Sequence, residues 1–243
     1  MGNGNGLWIA LAGMVLAAGL AAAGGLIGKG FVEGRMADRY VTVKGLAERE
    51  VQADLAVWPL GVTAAGDDLA AVQASVETDL DKVAAFLTDQ GIEPASIEHR
   101  RPNVTDMEAR EYGNTGQAPR NRYIVRQQIV VRGDQVELVQ KLAGDLGSLV
   151  RQGVVLSDNQ GPFFTFTRLN EIKPEMIAEA TRAARAGAEQ FAADSNATVG
   201  GIRRARQGLF SIQARDGAES YDQRLEPVKK VRVVSTIDFY LTD

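Results

Sequence analysis

The chain predicts an α+β fold: two ββαββ-like lobes, antiparallel sheets each covered by a long helix, with an additional linking helix and one N-terminal transmembrane helix ahead of them. Three observations carry this expectation. Leu7–Gly28 is an uncharged, largely apolar run. Beyond it, stretches alternating apolar and polar residues give way repeatedly to apolar stripes at helical spacing. The order strand, strand, helix, strand, polar loop, strand then occurs in the first half of the body and again in the second.

Leu7–Gly28 counts 22 residues. At a helical rise of ~1.5 Å these span about 33 Å, enough to cross a hydrocarbon core of ~30 Å. A cleavable signal peptide is the rival reading, and Ala21-Ala22-Ala23 would supply its small-residue cleavage site. Met1–Gly6 carries no basic residue, however, and the apolar run exceeds the ~7–15 residues of a signal's core. Residues 1–29 are therefore expected to form a membrane anchor or uncleaved signal, residues 30–39 a linker, and residues 40–243 the body. Gly24 and Gly28 form a GxxxG pair, and Ala17, Ala21 and Gly25 follow four-residue spacing, as on helix faces that approach closely in lipid. Lys29, Arg35 and Arg39 follow the span and no basic side chain precedes it, so charge alone favours a cytoplasmic body.

The body is long enough to bury a real core, and its apolar and charged fractions are those of a globular protein. A net charge of −4 argues against a general nucleic-acid binder. With no cysteine in the chain, disulfides, thiolate chemistry, cysteine-held metals and cysteine-linked lipids are all excluded.

Tyr40–Glu48 alternates and reads as a strand, and Val51–Ala65 as a second, with Pro59 hinting at an edge or a bulge. Gly66-Asp67-Asp68 breaks the pattern, and the aspartates suit a helix N-terminus. Leu69, Val72, Val76, Leu80, Val83 and Leu87 then form one helical stripe, closed by Gly91 and Pro94. Ser96–Met107 and Arg122–Arg132 read as strands flanking the polar hairpin loop Glu108–Asn121. Asp134–Val150 is expected to be the linking helix, between lobe one at about 40–133 and lobe two at about 151–243. Gly153–Leu156 and Phe163–Leu169 read as strands. Pro174–Ala197 reads as a long helix whose packing face is mostly alanine, with Met176, Ala180, Ala184 and Phe191 in register. Gly200–Ala214 and Val228–Leu241 close the body around the loop Arg215–Pro227.

The halves also match in length: from Gly66 to Arg122 is 56 residues, and from Asn170 to Val228 is 58. Each has a strand opening on basic residues, Arg100-Arg101 in one and Arg203-Arg204 in the other.

Catalytic chemistry has little to draw on. His99 is the only histidine, with no nucleophile elbow to pair with, and no phosphate-binding glycine loop follows a strand. Loop carboxylates Asp106, Glu108, Glu111, Asp216, Glu219, Asp222 and Glu226 match no metal-loop spacing and read as solvated charge. Arg203, Arg204 and Arg206 form the densest basic cluster, with 204 and 206 on one strand face and 203 on the other; intersubunit or surface ion pairing is the favoured reading, with a phosphate or acidic-partner site as the alternative. Phe164 and Phe166 share a face opposite Phe163, and Trp58 reads as core or an interface anchor. No catalytic, cofactor-binding or metal residue is assigned.

Tyr40-Val41-Thr42-Val43-Lys44-Gly45, then Ala47-Glu48 and Val51-Gln52-Ala53-Asp54-Leu55-Ala56, resembles the opening signature of the SIMPL-domain family, with Ala53 where the family usually has proline. The Ala-rich segment 178–193, Gly200-Gly201-Ile202 and the closing run Val231–Leu241 resemble the family's C-terminal part. The resemblance spans about residues 40–243. It implies an exported or inner-membrane-anchored periplasmic protein linked to oxidative-stress or envelope defence. Some members form large hollow homo-oligomers, and no catalytic residues come with the family.

The expectation is a single-pass bacterial inner-membrane protein, anchored through residues 7–28, with its C-terminal body in the periplasm. It would act without catalysis as a ring-like homo-oligomeric scaffold or envelope-stress factor, with no nucleic-acid partner, no cofactor and no identified small-molecule ligand. A solute- or lipid-binding module with an interlobe pocket lined by Trp58, Phe164 and Phe166 is the alternative. An enzyme using Asp216, Glu219 and Asp222 is the third reading.

Overall fold

Alternation along Tyr40–Gln52 and Val228–Thr242 buries every second side chain and makes these the long strands β1 and β10. The computed structural model of the chain describes residues 4–36, 39–109, 121–157, 160–216 and 221–242. It is a mixed α+β fold with two antiparallel sheets. Residues 4–36 form helix α1 (Gly4–Met36), which takes in the whole of Leu7–Gly28. Among the described residues no helix is long and apolar enough to cross a membrane. The side chains of residues 4–10, 12, 15 and 31–36 lie outside those described.

The body divides into two compact units that interleave along the chain: residues 1–47, 174–210 and 233–243 form one, residues 48–173 and 211–232 the other. Successive lobes at about 40–133 and 151–243 are thus replaced by a nested arrangement.

The larger unit is built on β2 (Leu55–Gly66) and β5 (Tyr123–Gly133), paired antiparallel from Ala56↔Gly133 to Gly66↔Tyr123. Short strands β3 (Ile97–His99) and β4 (Asn103–Asp106) flank β5, while β6 (Leu156–Ser157) and β7 (Phe163–Thr165) flank β2. Helix α2 (Leu69–Asp89) begins at the N-cap Asp68, whose carboxylate accepts from the Ala70 and Ala71 amides. It lays Val72, Val76, Leu80, Val83 and Leu87 on a core that includes Trp58, Leu60, Val62, Ile129 and Val131. The expected linking helix is two helices, α3 (Val136–Ala143) and α4 (Gly147–Arg151), parted at Gly144-Asp145; both add apolar side chains to the same core.

The smaller unit sets helix α5 (Leu169–Asp194) against β1 and the second half of β10, which also pairs with β8 (Thr198–Gln207). The buried stripe of α5 is Met176, Ala180, Ala184, Ala188 and Ala192. Phe191 is 60% exposed, against expectation. Four-residue spacing turns the stripe by about 40° at each step, and the neighbour of Ala192 is left about 100° off it. Alanine permits close approach, and Gly45 on β1 uses it. A Cβ there would stand 1.8 Å from the Ala180 carbonyl oxygen and 2.6 Å from the Ala184 amide nitrogen.

The expected ββαββ order is not what repeats: each sheet has one strand ahead of its helix, and the strands read near 153–169 join the first sheet as β6 and β7, while a strand–helix–strand–strand order recurs. In one sheet the chain order is β2, α2, β3 with β4, then β5, and β5 lies between the interrupted strand and β2. In the other it is β1, α5, β8 with β9 (Ser211–Ala214), then β10, and β10 lies between the interrupted strand and β1. Two expected strands are broken. Ser96–Met107 yields at Arg100–Pro102, where proline offers no donor. Gly200–Ala214 yields at Gly208, where a Cβ would meet the Val234 carbonyl oxygen at 2.6 Å. The first break in the body falls at Ala53-Asp54, not at Arg49-Glu50, because β1 runs on to Gln52.

Candidate functional site

The signature residues 53 and 54 knot three segments of the larger unit together. The Ala53 amide donates to the Pro227 carbonyl at 2.8 Å, and the Asp54 amide to the Thr165 carbonyl at 3.0 Å. The Asp54 carboxylate accepts from the Thr167 amide at 2.7 Å, the Thr167 hydroxyl at 2.9 Å and Arg168 Nε at 3.1 Å. Burial works to raise the pKa of this carboxyl, but the Thr167 bonds, followed by the Asp54 backbone and Arg168, outweigh it and hold the group below the usual carboxylate value. A carboxylate so committed is a clamp, not a base.

Two further carboxylate candidates are held in the same manner. Asp106 meets Arg122 Nη2 at 3.2 Å, and Glu108 meets Arg122 Nε at 3.2 Å, closing the strand end beside the loop. The hydrogen bond from Arg122 is the main cause that keeps Asp106 below the usual carboxylate range. Glu226 lies near Lys229, whose pKa is lowered by burial despite that charge. Glu111 and Glu219, and the side chain of Asp222, lie outside the described residues. Among the described residues no cluster of His, Asp or Glu could hold a metal ion. His99 is exposed on β3, opposite Ile129 of β5.

The aromatic candidates are core. Trp58 and Phe164 are buried in the apolar cluster of the larger unit, and Phe166 is buried as well. Trp58 Nε1 has no hydrogen-bond partner. Phe163 points the other way, under the Arg224 guanidinium at 5.8 Å.

What the fold does gather is arginine. On the larger unit a cavity of about 310 Å³ is lined by Arg100, Arg101, Asn103, Arg126, Gln127, Gln128 and Ser157. Arg100 and Arg101 come from the break between β3 and β4, and Asn103 pairs with Arg126 across β4 and β5. The register places Gly61 between Gln128 and Ser157, and a side chain there would collide with Ser157, its Cβ lying 2.8 Å from Ser157 Oγ. The missing side chain leaves that space open. Glu98 steadies Arg100 at 3.0 Å, but among the described residues Arg101 and Arg126 have no ion pair. Ser157 Oγ and Gln127 Oε1 are buried without a hydrogen-bond partner.

The smaller unit carries a second, more neutral pocket of about 200 Å³ lined by Tyr40, Thr42, Arg204, Arg206, Thr236 and Asp238. Asp238 accepts from the Thr42 hydroxyl at 2.8 Å and offsets part of the positive charge. Arg203 does not stay on the opposite side from this cluster. A bulge sets Asp238 opposite Arg204 and Phe239 opposite Ile202, so that Arg203 falls between these two registered pairs, and its guanidinium lies 4.1 Å from the centre of the Tyr40 ring.

The same unit presents β8 as an outer strand, exposed over most of its length. Directly after it Leu209 is 95% exposed, held out by the Gly208 break. Sequence reasoning found Arg100, Arg101, Arg204 and Arg206 but missed Arg126, Gln128, Asn103 and Ser157. The one available signal was Gly61 in the middle of an otherwise bulky strand.

A family model described as SIMPL, a protein of unknown function (DUF541), matches residues 41–239. No curated protein matches the chain.

Proposed function

The chain belongs to the SIMPL family, and on that premise we propose that it is a membrane-anchored, periplasm-facing scaffold of the bacterial envelope. It assembles with copies of itself and acts in stress defence without catalysis. The observation that carries the assembly is Leu209, 95% exposed at the end of the outer strand β8. An isolated leucine on a surface is ordinary, but one held out beside an outer strand that no other described strand covers offers both an apolar knob and a strand edge to a neighbour. The sheet ends in different strands, β1 on one side and β8 on the other. Pairing of one copy's β8 with the next copy's β1 is head-to-tail, and closes into a ring when the rotation allows.

The anchor reading is supported by α1. Leu11, Met14, Leu16, Leu20, Leu26 and Ile27 are all exposed on it, and a Cβ added at Gly24, Gly25 or Gly28 would touch nothing. A helix with exposed apolar side chains and an open small-residue face is suited to lipid and to like helices. A topology reporter fused after Asp243 checks the orientation.

Size-exclusion chromatography with light scattering on the detergent-extracted full chain tests the assembly. A defined multimer is expected, and Leu209→Glu is expected to shift it toward smaller species. A monomeric wild-type chain at micromolar concentration overturns the proposal.

A further inference from the structure

We propose that the arginine pocket of the larger unit binds the phosphoryl group of a small hydroxylated phosphate ester or of a phospholipid headgroup. Three arginines, Arg100, Arg101 and Arg126, line it, and no carboxylate is among its described lining residues. Glu98 bonds to Arg100 and holds it in place, leaving Arg101 and Arg126 uncompensated among the described residues. Like charges gathered around one cavity repel one another, and an anion is what relieves that repulsion.

The donor set points to phosphate in preference to carboxylate. One arginine fork satisfies a planar carboxylate. Here the guanidinium groups come from two directions, the β3–β4 break and β5, and are joined by the side-chain amides of Asn103 and Gln128. A tetrahedral oxyanion has oxygens enough, pointing in enough directions, to use them all. One buried atom without a partner fits the rest of such a ligand: Ser157 Oγ can donate to a phosphoryl oxygen. The side-chain amides of Asn103 and Gln128 each carry a carbonyl oxygen that can accept from a ligand hydroxyl. Gln127 lies on the Val62 face and gives its Nε2 hydrogen to the Arg100 carbonyl at 2.9 Å, which fixes the backbone beside Arg101. The cavity of about 310 Å³ stands at the small end of the ~300–1,000 Å³ range of ligand clefts, which suits a phosphorylated three-carbon fragment better than a nucleotide. Gly61 is what keeps it open.

This assignment is independent of assembly, because every lining residue belongs to the larger unit whereas Leu209 belongs to the smaller. The test is calorimetric titration of the full chain, held in neutral phosphatidylcholine nanodiscs, with sodium phosphate and with glycerol 3-phosphate at constant ionic strength. Saturable binding at one site per chain is expected, with glycerol 3-phosphate the tighter ligand. Arg101→Ala and Arg126→Ala are each expected to weaken it roughly tenfold, the loss of a charge-assisted contact. Arg101→Lys should fall between, and Arg204→Ala in the other pocket should change nothing. Nanodiscs carrying phosphatidic acid separate the two sources of phosphate. Loss of the glycerol 3-phosphate signal there assigns the site to a lipid headgroup, and an unchanged signal assigns it to a free ester. Absence of saturable binding by the wild-type chain, or full affinity in both alanine variants with unchanged circular dichroism, overturns the proposal. The Leu209→Glu variant is expected to bind as the wild type does, so failure of the assembly reading leaves this result distinct.

Discussion

The two sheets share a strand order and are held together by opposite means. The β2–β5 sheet is filled with large side chains, Trp58, Leu60, Leu80, Leu87 and Ile129 among them. The β1–β10 sheet meets its helix through alanines, with Gly45 beneath the backbone of Ala180 and Ala184. One topology thus admits two solutions for burying a helix on a sheet: fill the gap, or close it. They fail differently. A filled gap is damaged by taking atoms away, and a closed one by adding them.

Trp58→Ala is the largest expected loss, about 3–5 kcal/mol, as for other aromatic truncations in a close-packed core. Chemical denaturation would show it, and hydrogen exchange should place the loosening in α2, β2 and β5. Trp58→Phe sharpens the point. It also removes an indole N–H that has no partner, so its cost should be much smaller. A smaller but more telling effect is expected for Gly45→Ala, one added carbon, at about 1–3 kcal/mol. Its Cβ meets backbone that cannot swing aside, and exchange should rise in β1 and α5. If Gly45→Ala is harmless while Trp58→Ala is not, the contrast between the sheets is lost.

The smallest effect is at Asp54, and it depends on pH. The folded pKa lies below the unfolded value near 3.8, so the carboxylate stabilises fully above that value and its contribution fades as pH falls through the folded pKa. Asp54→Asn is expected to cost about 1 kcal/mol at neutral pH. The difference in Tm from the wild type should shrink as acid is added from about pH 5 downward. A constant difference across that range would mean that the clamp works through shape and not charge.

Local features were legible in the chain wherever they depended on neighbours in sequence. The stripe of α2, its aspartate cap, β5 and β10 all follow from residues within a few turns or strand lengths. What could not be read depended on partners far away. The first strand extends to Gln52 and turns at Ala53 because Pro227 and Thr165 receive the backbone there. Arg203 changes sides because a bulge against β10 disrupts the alternation. The repeat was visible in its helix–strand–strand order, but its nesting was not, since nothing in Tyr40–Glu48 announces a partner at the far end of the chain. The arginine pocket was half visible. Arg100 and Arg101 stand together in sequence, whereas Arg126 and Ser157 join them only through the register of β2 with β5 and β6.

The adjacency of β1 and β10 also sets a timetable for synthesis. Thr42 bonds Asp238 across 196 residues, and the Arg39 carbonyl receives the Leu241 amide. At ~5–20 residues per second, the ribosome needs about 10–40 s to deliver that partner. For this interval β1 is a finished strand with nothing to pair with, while the segment from β2 to β7 already has its whole sheet at hand. The β1–β10 sheet therefore closes only when translation is nearly over, and slowing elongation late in the message should lengthen the time its first segment spends without its partner strand.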